Sequence, residues 1–286
     1  MENKVIVLDI DGTLMPSNNI LDQETKGYLN FLDKDNLVVL TSGRSYHDLL
    51  PIHKEIGLTS PMICSNGSTL HFMGTRDDVT LSINPEYIKD IFRNYKHTIV
   101  SSFYSYKNKL FIYNKMDKLS FLYKINDDCE IIEGSFDELD LLYPNSVYLI
   151  LNNSLKNEVF DYIDQNYSNQ ISYFEYGHDL KYSITILSMK NVDKAYAILE
   201  LLLLTNKKEK DLIVIGDGPH DVNMLSLDGI TAAMKNGTSE VKQVAKYVTK
   251  YDNNNQGVLR FLKEIEENKK GIWLSLLFIY YSCHFK

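Results

Sequence analysis

Two acidic side chains, Asp9 and Asp11, follow a short apolar run near the beginning of the chain. Residues 5–8 are mostly branched and apolar, which predicts a buried strand, and Gly12 frees the backbone in the turn that follows. Neighbouring carboxylates repel each other, and a divalent cation such as Mg²⁺, which prefers hard oxygen ligands, relieves that repulsion. The pattern indicates a metal site, and an ordinary Asp- and Gly-rich turn is the alternative.

A second acidic pair lies far along the chain, where Asp217 and Asp221 flank the turn at 218–220. The preceding residues, 211–215, predict another buried strand, so the arrangement at Asp9 is repeated. Ligands of open α/β sheets bind at the carboxyl ends of the strands. Turn preference alone does not easily explain two acidic strand ends, so together they favour a divalent metal site.

Two further segments carry groups that could hold an anion. Ser42 and Gly43 follow a predicted strand, and backbone N–H groups at such a turn favour phosphate. Both residue types are also ordinary at the start of a helix, which is the alternative explanation. Lys194 lies near a predicted helix start, where its charge opposes the helix dipole. It is either an anion-binding group or a solvated surface charge.

The elements that must position these residues form two patterns. Strands alternate with helices from residue 1 to about 80 and again from residue 192, which predicts right-handed crossovers and a parallel sheet. The part between them mixes strands and helices without that alternation. The predicted strands are 5–8, 37–41, 61–65, 98–104, 109–113, 146–151, 171–176, 182–187, 211–215 and 230–234, and the predicted helices are 22–34, 47–56, 85–95, 155–167, 194–204, 221–227, 240–246 and 258–268.

The simplest architecture is an α/β protein with an insertion. A Rossmann-like parallel-sheet core is formed by 1–80 and 187–268, and an α+β domain is inserted at 81–186. The 286 residues are enough for about two domains. A formal net charge of −8 argues against a nucleic-acid-binding surface.

The cysteines and the ends of the chain indicate a cytoplasmic protein. Cys64, Cys129 and Cys283 share no ligand-like spacing and are expected to be free thiols. The chain enters its first strand directly, so no signal peptide is expected. The tail, 269–286, is apolar over about 12 residues, too few for a membrane span, which needs about 20. It could pack on the protein, contact a membrane surface or be an extension without a role.

The motif-bearing segments, in this order, resemble the haloacid dehalogenase superfamily of phosphohydrolases, and especially its Cof-like branch with a large inserted α/β cap. Asp-Ile-Asp-Gly-Thr-Leu at 9–14 resembles the first motif and Ser-Gly-Arg at 42–44 the second. Lys194 stands at the place of the third motif, and 216–221 resembles the fourth. Two weaker downstream signatures of the branch are similar to residues 233–236 and 255–258.

This resemblance implies a Mg²⁺-dependent phosphatase. Asp9 would attack the phosphorus and form an aspartyl phosphate, while Asp11 would act as the general acid and base. The metal ligands implied are the Asp9 carboxylate, the Asp11 main-chain carbonyl and Asp217, with Asp221 orienting them. Ser42, the Gly43 amide and Lys194 would hold the phosphoryl oxygens and offset their charge.

One departure from the family pattern concerns His220, which stands where the family usually has a phosphate-binding Asn. Histidine can still donate a hydrogen bond and adds a positive charge when protonated. We expect activity to survive with a steeper loss toward alkaline pH, and a side chain that points away is the alternative. Ser42 stands where the family usually has Thr, and Ala195 where it usually has Gly after the lysine of the third motif. Both residues suit the start of a helix, so we expect these two differences to have mild effects.

The substrate implied by the resemblance is a small phosphorylated metabolite. Sugar phosphates come first, and pyridoxal phosphate or flavin mononucleotide are possible substrates. A phosphomutase of the same superfamily and a non-catalytic phosphometabolite-binding protein are the alternatives. Thirteen of the 20 tyrosines lie in or beside the insertion, from Tyr87 to Tyr182. A tyrosine-lined pocket would explain them, but the general strand preference of tyrosine is favoured. The sequence predicts neither the substrate nor the oligomeric state.

Overall fold

The structure, a computed structural model, describes residues 1–123, 129–178 and 180–267. Within these ranges the chain forms two compact units. The first unit contains 1–40, 54–60 and the residues from 202 onward, and the second contains 41–53 and 61–201. The predicted apolar tail and Cys283 lie outside the described residues.

The described part of the chain contains fourteen strands and nine α-helices. The strands are β1 Val5–Asp9, β2 Leu37–Thr41, β3 Met62–Cys64, β4 Thr69–His71, β5 Val79–Thr80, β6 Ile99–Tyr106, β7 Lys109–Tyr113, β8 Glu130–Glu133, β9 Ser146–Asn152, β10 Ile171–His178, β11 Tyr182–Met189, β12 Leu212–Gly216, β13 Ile230–Ala233 and β14 Tyr247–Val248. The helices are α1 Gln23–Leu32, α2 Tyr46–Ile56, α3 Pro85–Tyr95, α4 Ser120–Tyr123, α5 Lys156–Tyr167, α6 Lys194–Leu204, α7 Val222–Leu225, α8 Ser239–Val244 and α9, which covers 257–267.

The first unit is built around parallel strands in the order β14-β13-β12-β1-β2. Strands β1 and β12 are parallel, with Leu8 opposite Ile215, and both are completely buried. Their branched, apolar residues suit a sheet covered on both faces. Because the two strands run in register, Asp9 and Asp217 emerge at the same edge of the sheet. This is the arrangement that the sequence predicts.

The second unit contains a six-stranded sheet in the order β10-β11-β9-β6-β7-β8. Its pairs are antiparallel except for β7 and β8, which are parallel. Helices α3 and α5 contribute Phe92, Ile91 and Val159 to a buried cluster with strand residues such as Leu149. The fold class, α/β with a parallel sheet and an α+β part, is therefore confirmed. The predicted insertion, 81–186, lies wholly within this unit, and its boundaries remain a prediction.

The structure corrects the sequence analysis at residues 66–80, where the parallel alternation does not continue. Strands β3, β4 and β5 form an antiparallel meander instead. The turn between β3 and β4 contains Ser65 and Asn66, which both adopt a left-handed backbone conformation, with φ of 51° and 53°. Strands of two or three residues have no measurable periodicity, so β4 and β5 were not predicted. The same reason applies to β14, while the exposed β8 lacks an apolar face.

No helix in the described ranges combines the length and the hydropathy that a membrane crossing requires. Cys64 and Cys129 are free thiols, as predicted. Burial raises the pKa of the Cys64 thiol well above its usual range. Cys64 therefore acts as a packed apolar side chain and not as a reactive thiolate.

A carboxylate links α3 to α5 in the second unit. Asp90 Oδ2 accepts hydrogen bonds from the hydroxyls of Tyr162 and Tyr167, both at 2.6 Å. Partial burial alone would raise the pKa of Asp90, but these hydroxyls, with smaller contributions from Arg93 and Asn94, outweigh it and the pKa lies below its usual value. The same bond and partial burial raise the pKa of Tyr162 to about 12.

Asp90 should make the second unit sensitive to acid. A lowered carboxyl pKa stabilises the fold above the ordinary value of 3.8, and the contribution is lost as the pH falls through the folded value. We expect Asp90→Asn to lower the free energy of unfolding at pH 7 by about 1 kcal/mol and to flatten its decrease toward pH 3. Urea unfolding followed by circular dichroism measures both effects. Asp161→Asn, an exposed carboxylate of α5, is the control, and equal behaviour of the two variants would contradict this role.

Candidate active site

Three carboxylates meet at the end of the buried strands β1 and β12. Each of Asp9, Asp217 and Asp221 offers an oxygen, and these oxygens all lie within 4.8 Å of one another. Asp9 and Asp221 are 5% and 1% exposed. Like charges this close together repel one another, and a cation bound among them would offset the repulsion. An all-oxygen set of donors fits a hard divalent cation such as Mg²⁺.

The turn after β1 packs directly on Asp217. Gly12 has φ of +83°, and a Cβ atom there would lie 2.3 Å from Asp217 Oδ2. Only glycine allows both this backbone conformation and this close approach. Thr13 Oγ1 donates a hydrogen bond of 2.7 Å to Asp217 Oδ1. The two residues therefore set the orientation of the Asp217 carboxylate.

Asp221 is placed by a single 3₁₀ turn, Pro219–Asp221. Its Oδ2 accepts the backbone N–H groups of Asp217 and Gly218, at 2.9 and 3.0 Å. Gly216 makes room for this arrangement, because a Cβ atom there would lie 2.7 Å from Asp221 Oδ2. Asp221 thus holds the backbone of the turn that carries Asp217.

Two asparagines support the site from later segments. Asn236 Nδ2 donates to the carbonyl oxygen of Gly12 at 2.7 Å, and its Oδ1 accepts the N–H of Asn253. Asn253 Nδ2 donates to the carbonyl oxygen of Met15 at 2.9 Å. Together they fasten both ends of the turn that follows β1. Asn236 falls in one of the weaker signatures and Thr13 in the first motif, whereas no sequence pattern marked Asn253.

Asp11 and His220 lie in the same two turns but outside the three-carboxylate cluster. Asp11 is exposed, and its backbone forms an isolated bridge with Met15. His220 is partly buried in the turn between Asp217 and Asp221. Their predicted roles, as acid and base and as a phosphate ligand, stay predictions.

The remaining candidate residues, Ser42, Gly43 and Lys194, belong to the second unit. Ser42 is buried, and its Oγ accepts the N–H of Arg44 at 3.1 Å. Its carbonyl oxygen accepts the N–H of Asn66 at 3.0 Å. The Asn66 side chain lies 3.0 Å from the position of a Cβ atom on Gly43. The loop after β2 is therefore closely packed against the turn after β3.

Lys194 begins α6 and is only 4% exposed. Its burial excludes the alternative of a solvated surface lysine. The same turn after β3 contacts this segment, because Gly67 has φ of +97° and a Cβ atom there would lie 2.0 Å from the Asp193 carbonyl oxygen. The turn thus touches both the Ser42 loop and the start of α6. That Ser42, Gly43 and Lys194 act on one phosphate together with Asp9 remains a prediction.

Comparisons with known proteins point to one family. The family described as haloacid dehalogenase-like hydrolase matches residues 6–262. Protein MG265 of Mycoplasma genitalium is 26% identical, over 92% of this chain and 99% of its own. The Bacillus subtilis 5-amino-6-(5-phospho-D-ribitylamino)uracil phosphatase YitU is 24% identical, over 92% and 98%. The crystal structure of a haloacid dehalogenase-like hydrolase from Bacteroides thetaiotaomicron shares the fold, with a TM-score of 0.77, 23% identity and coverage of 92% and 100%.

Gly12 should be essential for the acidic site. In Gly12→Ala the Cβ atom meets Asp217 and the left-handed backbone becomes strained, so we expect a loss of about 1–3 kcal/mol in the free energy of unfolding. We also expect MgCl₂ to raise the melting temperature of the wild type and this rise to disappear in Gly12→Ala. Thermal unfolding with and without MgCl₂ measures both effects.

Gly27→Ala is the matched control for this substitution. Gly27 is an exposed residue inside α1, and nothing lies within 4 Å of an added Cβ atom. We expect it to stabilise the protein by about 0.5–1 kcal/mol, since alanine is the better helix former. If Gly12→Ala kept the MgCl₂ effect as Gly27→Ala does, the turn would have no role in cation binding.

Proposed function

The chain belongs to the family of haloacid dehalogenase-like hydrolases and is a phosphatase of that family, and from this premise we propose that it hydrolyses small phosphate monoesters with Mg²⁺ through an aspartyl-phosphate intermediate. The observation that carries the proposal is the cluster of Asp9, Asp217 and Asp221 at the carboxyl ends of β1 and β12. Such a cluster combines a nucleophile with ligands for a cation.

The cation would be held by the Asp9 carboxylate, the Asp11 main-chain carbonyl and Asp217. When bound, it offsets the negative charge of the phosphoryl oxygens and of the crowded carboxylates. Asp221 acts indirectly, because its hydrogen bonds to the backbone of Asp217 and Gly218 keep the Asp217 carboxylate in place. The donor set favours this assignment, since the clustered groups are all carboxylates.

Hydrolysis then proceeds by two displacements at phosphorus. A carboxylate oxygen of Asp9 forms a bond to phosphorus, and the bond from phosphorus to the ester oxygen breaks. Asp11 gives its proton to the departing oxygen, which leaves as an alcohol. Water next attacks the phosphorus of the aspartyl phosphate while Asp11 takes its proton. The Asp9 carboxylate and inorganic phosphate are released.

The phosphoryl group is held by residues of the second unit. Ser42 supplies a hydroxyl, Gly43 an N–H group and Lys194 a positive charge. Lys194 is only 4% exposed, and a positive charge shielded from bulk water acts more strongly on a nearby phosphate than a solvated one does. These donors would stabilise charge on the phosphoryl oxygens, where most of the catalysis of phosphoryl transfer lies.

The substrate we propose is a phosphorylated small metabolite. Sugar phosphates were the first expectation, with pyridoxal phosphate and flavin mononucleotide as further candidates. The substrate in the name of YitU is a further candidate, and in it a phosphorylated ribityl chain carries a pyrimidine ring. A sugar or polyol phosphate, alone or attached to a ring, covers these compounds.

Asp9→Asn should abolish turnover. An amide oxygen is a poor nucleophile, so we expect release of inorganic phosphate from any substrate to fall about a thousandfold or more. The assay uses a panel of phosphorylated metabolites with MgCl₂, and EDTA should stop the wild-type reaction. Asp35→Asn, which changes an exposed carboxylate, is the control and should keep wild-type rates. Persistent phosphate release in Asp9→Asn would rule out this nucleophile, and an isomerised product would indicate a mutase.

His220 should shape the pH profile. A protonated imidazole adds a positive charge near the substrate phosphate, and this contribution is lost as the imidazole loses its proton at higher pH. We expect kcat/KM of the wild type to fall more steeply between pH 6 and 8.5 than that of His220→Asn, which has no titrating group there. Initial rates with one substrate across this range test the idea. Identical profiles would mean that the histidine does not face the phosphate.

A further inference from the structure

The second unit contains a cavity of about 780 Å³, which lies in the size range of small-molecule sites. Its walls come from the start of α2, the loop between β4 and β5, the turn between β6 and β7, and residues 143–145. We propose that this cavity binds the planar ring of a phosphorylated heterocycle whose phosphate is held at Ser42 and Gly43. The inference rests on the proposed function and narrows its substrate class.

Aromatic side chains form two walls of the cavity. The rings of Tyr46 and His71 pack against each other with centroids 4.3 Å apart. The rings of Tyr106 and Tyr143 stack at 4.8 Å. Tyr143 is half exposed and has φ of +47°, a conformation that non-glycine residues avoid and that recurs at ligand sites. Flat apolar surfaces of this kind favour a planar ring over a bare sugar.

The charges around the cavity are balanced. Arg76 and Lys107 each lie over an aromatic ring, 5.2 and 5.5 Å from the ring centroid. Two carboxylates, Asp77 and Asp78, also line the cavity, and Asp78 pairs with His71. A site for a second phosphate would need an excess of positive charge. The cavity therefore suits the uncharged part of a ligand.

Buried polar groups can form hydrogen bonds with the edge of such a ring. Asn145 is only 4% exposed, its Nδ2 donates to Thr69 Oγ1 at 3.0 Å, and its Oδ1 accepts the N–H of Ser146 at 2.8 Å. These bonds fix the amide, and both Asn145 and Thr69 line the cavity. Fixed donors of this kind match the carbonyl oxygens and ring nitrogens of a heterocycle.

The cavity is joined to the candidate phosphate loop. Tyr46 follows Gly43 by three residues, which limits the distance between their Cα atoms to about 10 Å. Ser65 lines the cavity, and its N–H donates to the Arg44 carbonyl oxygen at 2.8 Å. A ligand with its phosphate at Gly43 thus reaches the cavity when a sugar or polyol chain connects phosphate and ring.

The test compares ring-bearing and ringless substrates. We expect the wild type to prefer flavin mononucleotide or uridine monophosphate to ribitol 5-phosphate, a phosphate monoester without a planar ring, in kcat/KM. Tyr143→Ala should reduce this preference about fivefold, mainly by raising KM for the ring-bearing compound, and Tyr143→Phe should restore it. Tyr247→Ala is the matched control, since Tyr247 of the first unit is 53% exposed and Tyr143 is 52% exposed. That control should keep the wild-type preference.

A binding measurement separates the two proposals. Flavin mononucleotide is titrated into Asp9→Asn, and its fluorescence gives a Kd that Tyr143→Ala in the same background should raise about fivefold. If ribitol 5-phosphate is hydrolysed while Tyr143→Ala changes neither preference nor Kd for any ring-bearing compound, the ring site is overturned and the phosphatase stands. If binding depends on Tyr143 and no compound is hydrolysed, the ring site stands and the phosphatase fails.

Discussion

The constraint on which the first unit depends is the repulsion among Asp9, Asp217 and Asp221. Three carboxylates with oxygens within 4.8 Å of one another, two of them buried, repel one another, and a bound cation would offset their charge. The parallel register of β1 and β12 makes this crowding unavoidable, because both strands end at the same edge of the sheet. The fold therefore stores electrostatic free energy at the place where a cation and a phosphate would bind.

The surrounding backbone is arranged to keep these carboxylates in place. Gly12 and Gly216 omit the Cβ atoms that would otherwise collide with Asp217 and Asp221. Thr13 holds one oxygen of Asp217, and Asn236 holds the carbonyl oxygen of Gly12. An acidic site of this kind cannot be assembled from carboxylates alone. It needs small residues and fixed donors that prevent the charges from moving apart.

The sequence predicted the reactive residues of the site better than the residues that hold them in place. Asp9 and Asp217 were found because buried strands have an apolar pattern and the acidic residues interrupt it. Helices α3 and α6 were predicted with their observed bounds, since α3 has a clear apolar periodicity and α6 is apolar over most of its length. Thr13 lies within the first motif, but its contact with Asp217 was not predicted, and Asn253 was missed altogether, because a single hydroxyl or amide has no periodic signal. The short strands β4 and β5 were missed for a related reason, since pairing in space and not local pattern defines them.

Substrate recognition and catalysis differ in what they demand of a sequence. Attack on phosphorus requires particular atoms, so only a few residue types serve at Asp9, and a motif results. A ring-binding cavity requires surface shape and a few donors, which Tyr46, Tyr106 and Asn145 supply from three separate segments of the second unit. Many other residues could supply the same surface, so no fixed spacing marks it. The reaction can therefore be inferred from a motif, whereas the substrate can be inferred only from side chains that folding brings together.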